Sequence, residues 1–312
     1  MDRPIVLINA PVNLGLRPLR PGHVPGTWHA PEALIRAGLA EVIQPDRIVD
    51  LPRPTYRPPR RPAVRLLNGC AIRDFNLSLA PHVAAAFAAG HFAFVVGGDC
   101  SVLLGPLAGL RRHGPVSLVH IDGHSDFRHP GNHDPETTVG AVAGMDLALV
   151  TGRGAALLTD WPEVGSALVP DVQVVQIGER ESRDPDYAWP DISETEITRI
   201  DVFAARELGA EAVLRRACAT LDRVDWPFWI HLDVDVLDQD VMPAVDSPGR
   251  PGLEPDMLAA ILWKLLSDDR SAGLTLTIFD PDLDPDGRCA RVIVGIISAA
   301  FGSYGMRADC EL

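Results

Sequence analysis

The sequence predicts an α/β fold built on a mainly parallel sheet. Short β-rich apolar runs alternate with longer Ala/Leu-rich segments, the runs carry apolar residues at consecutive positions, and polar residues cluster just after them. Consecutive apolar positions mark strands covered on both faces, whereas a strand with one wet face alternates apolar and polar residues. The strand candidates are Ile5–Asn9, Phe92–Val96, Val116–Ile121, Val172–Ile177, Phe228–Leu232 and Leu274–Phe279. Between them lie helix candidates at Ala30–Gly38, Phe75–Ala89, Ser101–Arg112, Gly140–Thr151, Val202–Leu221 and Pro255–Ser267. This βαβα order sets the class without choosing between a doubly wound sheet and a barrel.

Composition narrows the functional classes. The 312 residues suit one large domain or two closely fused ones, and 46% hydrophobic content is enough for a sizeable core. With 28 Lys+Arg against 42 Asp+Glu, the net charge of −14 argues against binding nucleic acid by phosphate neutralisation. No run approaches the roughly 18–20 apolar residues of a membrane span. Met1-Asp2-Arg3-Pro4 leads straight into a strand-like run, so no secretory signal is expected and the cytoplasm is the expected compartment. The five cysteines (Cys70, Cys100, Cys218, Cys289, Cys310) are scattered with no CxxC, which speaks against a disulfide framework. Two segments read as loops: Leu51–Pro62, with five prolines, and Asp238–Glu254, rich in Pro, Gly and Asp.

Ligands of open parallel sheets bind beyond the carboxyl ends of the strands. There the chain places Gly97-Gly98-Asp99-Cys100-Ser101, then Asp122-Gly123-His124-Ser125-Asp126, then Asp233-Val234-Asp235 followed by Asp238. In extended chain, residues two apart share a face, so Asp122, His124 and Asp126 point together, as do Asp233 and Asp235. Acceptors converging with no basic residue interleaved repel one another unless cations sit among them. Carboxylates mixed with one or two softer donors suit first-row divalent metals, and six donors exceed the needs of one tetrahedral ion. Each motif alone has a bland reading as a tight turn, a helix cap or a solvated rim. All three in order, each at a strand end, point to a pair of metals.

These motifs, with a weaker fourth element Phe279-Asp280-Pro281, resemble the ureohydrolase superfamily of arginase, agmatinase and formimidoylglutamase. The resemblance implies a single arginase-like three-layer α/β/α domain over residues 1–312, often assembled as trimers or hexamers. It implies two divalent ions, manganese first, with zinc or iron as alternatives because Cys100 is a soft ligand. Asp122 and Asp233 would bridge the ions, Asp126 and Cys100 would complete one site, and His124 and Asp235 the other. A bridging hydroxide would then attack the guanidinium carbon of a small-molecule substrate, with Asp126 relaying its proton to the leaving amine.

Three departures bear on the substrate. The family usually has histidine where this chain has Cys100, an exchange that also resembles a branch acting on N-hydroxyguanidino compounds. The family's guanidinium-pairing glutamate falls on Ile278, so either Asp280, Asp282 or Asp284 supplies the charge from a shifted loop or the substrate is not an ordinary guanidinium. The family's proton-shuttle histidine is missing from Thr137-Thr138-Val139-Gly140, leaving His129 and His133 as candidate catalytic residues. Arg128 is placed to clamp a substrate carboxylate. The expectation is therefore a hydrolase of a guanidino-type C–N bond that releases urea or a substituted urea. Its rivals are a mononuclear zinc amide hydrolase of related fold and a metal-binding pseudoenzyme.

Overall fold

Runs such as Phe92-Ala93-Phe94-Val95-Val96 have no polar face to turn to solvent, and the computed structural model buries every residue of this one. The model describes residues 3–58, 65–133, 140–165, 167–184 and 189–302. Eight strands form one sheet: β1 (Ile5–Asn9), β2 (Arg47–Asp50), β3 (Phe92–Val96), β4 (Ser117–Ile121), β5 (Val174–Ile177), β6 (Thr198–Ile200), β7 (Phe228–Asp233) and β8 (Ser271–Thr277). Their order is β2-β1-β3-β8-β7-β4-β5-β6 and every pairing is parallel. The sheet is open, which settles the choice against a barrel.

Helices α1 (Ala30–Arg36), α2 (Leu39–Ile43), α3 (Gly69–Ala88), α4 (Leu104–Leu110), α5 (Asp146–Val150), α6 (Ala156–Thr159), α7 (Val202–Leu221), α8 (Pro255–Leu266) and α9 (Arg288–Phe301) cover both faces. Phe92, Phe94, Ile230 and Leu274 pack with α1, α2, α7, α8 and α9, while Val6, Val95, Leu118 and Trp229 pack with α3, α4, α5 and α6. Each large side chain buried this way contributes about 1.5–3 kcal/mol. The two hydrophobic layers hold the sheet rigid beneath its carboxyl edge.

Five elements were not read from the sequence: strands β2 and β6, the short helices α2 and α6, and helix α9. Strands β2 and β6 sit at the two sheet edges, where one side is solvated and the two-sided apolar signature is lost; β2 is exposed at three of its four positions. Helix α9 buries Ile293, Ile296, Ile297 and Ala300 at helical spacing against the first layer. Strand β8 begins earlier than Leu274–Phe279, at Ser271, and ends earlier, at Thr277, because Ile278 takes a left-handed φ of 71° that stops the extended run. Helix α3 begins before Phe75, directly after a left-handed Asn68. Of the proline-rich Leu51–Pro62, residues 59–62 lie outside the described set.

One glycine is dictated by close approach. A Cβ on Gly98 would stand 1.5 Å from the Val12 carbonyl oxygen, so only glycine lets the turn after β3 press against the turn after β1. The backbone oxygen cannot swing away as a side chain would. A Gly98→Ala variant is expected to lose about 3 kcal/mol or more of stability, read as a lower urea midpoint; an unchanged midpoint would contradict this packing.

Candidate metal centre

Backbone turns at three strand ends bring the site together. After β3, Asp99 is consumed structurally: its Oδ2 accepts Gly15 N–H and its Oδ1 accepts Ser101 N–H, both at 3.0 Å. That cap turns Cys100 inward, where it is 1% exposed. Its Sγ donates to Asp233 Oδ2 at 2.8 Å and lies 3.3 Å from Thr277 Oγ1. After β4, Asp122 Oδ1 accepts His124 N–H at 2.6 Å, and Gly123 N–H donates to Asp235 Oδ1 at 3.0 Å. Gln176 Nε2 braces this loop by donating to the carbonyls of His124 and Ser125, each at 3.1 Å. After β7, Asp233 Oδ1 accepts Asp235 N–H at 2.7 Å, and Asp235 Oδ2 lies 2.9 Å from His124 Nδ1. Asp126 takes a left-handed φ of 46°, a backbone state costly for a non-glycine residue and concentrated at functional sites.

Cys100, His124, Asp126, Asp233 and Asp235 thus line one pocket, with Asp122 buried against His124 and Asp235. Ligand atoms of Asp122, His124 and Asp235 lie within 4.8 Å of one another, as do those of Cys100, Asp126 and Asp146. The electrostatics show what such crowding costs. Burial, then Asp235, pushes the Asp122 carboxyl up to about 8. Burial, then neighbouring carboxylates, holds Asp126 and Asp233 well above the usual carboxylate range. Burial and Asp233 likewise push up the Cys100 thiol. Burial would raise Asp235 too, but the His124 imidazolium overcomes it and holds Asp235 below its ordinary value; the same pairing lifts His124, against burial, to about 10. Asp122 Oδ2 is buried with no hydrogen-bond partner. A donor set of carboxylates, one imidazole and one thiol, with an orphaned buried oxygen, fits divalent cations.

The cavity above these donors measures about 190 Å³ and is also lined by Arg17, Arg128, Glu181, Trp189, Asp246 and Ile278. Arg128 reaches it with its guanidinium 5.0 Å from the Trp189 ring centre. His129 and His133 instead line a separate small cavity beside Leu149 and Met145. His129 is held at both ring nitrogens, by Asp191 Oδ2 at 2.6 Å and Gly131 N–H at 3.1 Å, and His133 Nδ1 lies 2.8 Å from the His129 carbonyl. Asp280 is likewise not brought to the pocket. Its oxygens accept Gly26 N–H at 2.9 Å and Asp282 N–H at 3.0 Å, tying the β8 end to the N-terminal segment. Asp282 lies 3.1 Å from His29 Nδ1, and Asp284 caps α9 through Cys289 and Ala290 N–H. Residues 137–139 lie outside the described set; the following stretch meets the pocket with Ala141, Ala143 and Gly144, which have no titratable side chain.

Asp246, Glu181 and Arg17 were missed because they come from loops with no motif. His120, His231 and Asp146, just beneath the pocket, did leave a signal. His120-Ile121-Asp122 and His231-Leu232-Asp233 repeat the same His-x-Asp spacing on two strands, which places each histidine on the face of its aspartate.

A parallel α/β/α sheet with this pocket at its carboxyl edge defines a metal-dependent hydrolase of the ureohydrolase type. The arginase-family model matches residues 3–302. The chain is 30% identical over 235 residues to an arginase from Brevibacillus brevis, covering 73% of this chain and 75% of the relative. It is 32% identical over 221 residues to the N(omega)-hydroxy-L-arginine amidinohydrolase of Streptomyces lavendulae, covering 68% and 70%. The native arginase structure from Bacillus caldovelox matches with a TM-score of 0.82 at 26% identity, over 96% of this chain and 99% of that one. The chain belongs to the arginase family. Its chemistry is accordingly metal-dependent amidinohydrolysis, the cleavage of guanidino-type C–N bonds. Among the described residues no helix is long and apolar enough to cross a membrane.

Proposed function

We propose that the protein hydrolyses a small guanidino or N-hydroxyguanidino compound bearing a carboxylate, at a centre of two divalent ions. The single observation behind this reading is the convergence of Cys100, Asp122, His124, Asp126, Asp233 and Asp235 from three strand ends. Asp122 and Asp233 would be shared between the two ions, Cys100 and Asp126 would hold one, and His124 and Asp235 the other. When bound, such a pair lowers the pKa of a shared water and stabilises charge developing on the substrate. Asp126, held by a hydrogen bond with Asp146, would orient the attacking water and carry a proton toward the leaving amine. Manganese is the family's expected metal; the soft thiol of Cys100 favours zinc or iron in its site. Assembly as a trimer or hexamer and a cytoplasmic location belong to the same reading, and light scattering of the purified protein tests the assembly.

The cavity is smaller than the roughly 300–1,000 Å³ of pockets for drug-sized ligands and suits one amino-acid-sized molecule. Arg17 and Arg128 offer guanidinium groups for a carboxylate, and Glu181 and Asp246 offer carboxylates for a cation. Ile278 lies in the same wall, so negative charge must come from elsewhere, and Asp246 supplies it. Its hydrogen-bonding neighbour is Ser247 Oγ at 3.4 Å, which leaves acceptor capacity, and burial followed by Asp235 raises it to about 6, so it is mostly ionised at pH 7.5. An Asp246→Asn variant is expected to raise KM for a cationic substrate about tenfold or more, the worth of one charged hydrogen bond, with a smaller change in kcat. Steady-state kinetics would read this; an unchanged KM would remove Asp246 from recognition.

The deciding experiment is a urea-release screen over arginine, N-hydroxyarginine, guanidinobutyrate and agmatine with manganese, zinc, iron, cobalt or nickel. Turnover is expected with a carboxylate-bearing compound and not with agmatine. No turnover with any pairing overturns the reading.

A further inference from the structure

Directly beneath the pocket lies a second cluster that the proposed hydrolysis does not use. Register pairs His120 of β4 with His231 of β7, and their rings stack with centroids 5.0 Å apart. Asp146, the first residue of α5, closes the cluster from the helical layer. Its Oδ1 lies 3.3 Å from His120 Nε2 and its Oδ2 lies 3.4 Å from His231 Nε2. Asp122 Oδ2 is 3.7 Å from the same His120 nitrogen. All four residues are 0% exposed. Both ring nitrogens of His231, Nδ1 of His120, Oδ2 of Asp146 and Oδ2 of Asp122 have no hydrogen-bond partner.

Buried polar atoms are normally satisfied, and each exception calls for a cause such as an ion. Ligand atoms of His120, Asp146 and His231 lie within 4.8 Å of one another, and around them His231 Nε2, Asp146 Oδ2 and Asp122 Oδ2 are orphaned. Ligands bound at about 2.0–2.1 Å to a tetrahedral zinc stand roughly 3.3–3.4 Å apart, which is the spacing that Asp146 keeps to both imidazoles. Two imidazoles with carboxylates form a zinc-class donor set, richer in nitrogen than the pocket above, where His124 is the imidazole. We propose that His120, Asp146 and His231, with Asp122 Oδ2 as the fourth donor, form a closed site for a third, zinc-class divalent ion beneath the two-ion centre, with Asp122 shared between the two. Being closed, it serves structure: it locks α5 to β4 and β7, and through Asp146 it fixes Asp126.

The test uses full-length protein stripped of metal, labelled with ¹⁵N-histidine and titrated with zinc. Ring-nitrogen signals of His120 and His231, assigned from His120→Gln and His231→Gln, are expected to shift to metal-bound positions. Total zinc by mass spectrometry is expected to fall by one equivalent per chain in either variant. Where a variant fails to fold, the other variant assigns the signals and the wild-type titration decides. If only the His124 ring shifts, while those of His120 and His231 stay in place, the cluster is a polar layer and the proposal is overturned. An Asp235→Asn variant separates this from the two-ion reading: it weakens the pocket above and leaves the shifts of His120 and His231 intact.

Discussion

An Asp233→Asn variant is expected to keep its fold and lose at least about a hundredfold in urea release. Asp233 stands between both halves of the proposed centre: its Oδ2 accepts the Cys100 thiol and its Oδ1 accepts Asp235 N–H. Asparagine keeps the size of the side chain and one carbonyl acceptor for Asp235 N–H. What it removes is the negative charge that would offset two cations. Residues that merely orient a metal ligand cost about 10–100-fold when changed, so the loss of a bridging ligand should exceed that range. Metal analysis of the variant should show less bound ion per chain, and thermal unfolding should fall no lower than that of chelated wild-type protein. Full metal content with unchanged turnover would show that Asp233 does not bridge.

The sequence revealed the part of this site that strand periodicity controls. Asp122, His124, Asp126, Asp233 and Asp235 follow directly on buried strands, so strand register alone aims them together. Cys100 was legible for the same reason, one residue beyond a Gly-Gly-Asp turn. The reading lost its grip where tertiary neighbours decide. His129 and His133 lie close in sequence to Asp126, yet Asp191 and the loop backbone draw them into a different cavity. Asp280 follows β8 as the proposed ligands follow their own strands, but a nearby backbone, Gly26, claims its carboxylate. Asp246 reaches the pocket from a loop whose path is set by Asp280 N–H bonding the Ala244 carbonyl at 2.9 Å, a contact that no local pattern encodes. The edge strands β2 and β6 escaped for a related reason. Half-solvated and three or four residues long, they look like loop until their inner neighbours are known.

Chelated protein is expected to become less stable as the pH rises from 5 to 8.5, opposite to the usual rise of stability out of the acid range. Asp122 titrates near 8 in the fold, through burial and then Asp235, against an ordinary carboxylate value of 3.8. A group raised in the folded state stabilises the fold below its unfolded pKa and loses that contribution as pH climbs through the folded one. For Asp122 the window therefore runs from about 4 to about 8, and Asp126 and Asp233, raised well above their ordinary values, act in the same sense. His124, lifted from 6.5 to about 10 with Asp235 overcoming burial, extends the decline upward. Two groups of the cluster run the other way: the depressed carboxyl of Asp235 adds stability that is lost only as pH falls below the window, and His231, held well below 6.5 by burial and then His120, adds stability as pH rises toward 6.5, so the net fall is expected chiefly above that point. Even half of the Asp122 shift corresponds to about 2–3 kcal/mol. At about 2–4 °C per kcal/mol, Tm in EDTA should drop by roughly 5–10 °C across the range. Because the same carboxylates must be deprotonated to bind an ion, the Tm increment from added metal should grow over that interval. Scanning calorimetry at pH 5, 6.5, 7.5 and 8.5, with and without metal, separates the two effects. A chelated Tm that holds or rises toward pH 8.5 would mean that these acids are not crowded together as the fold places them.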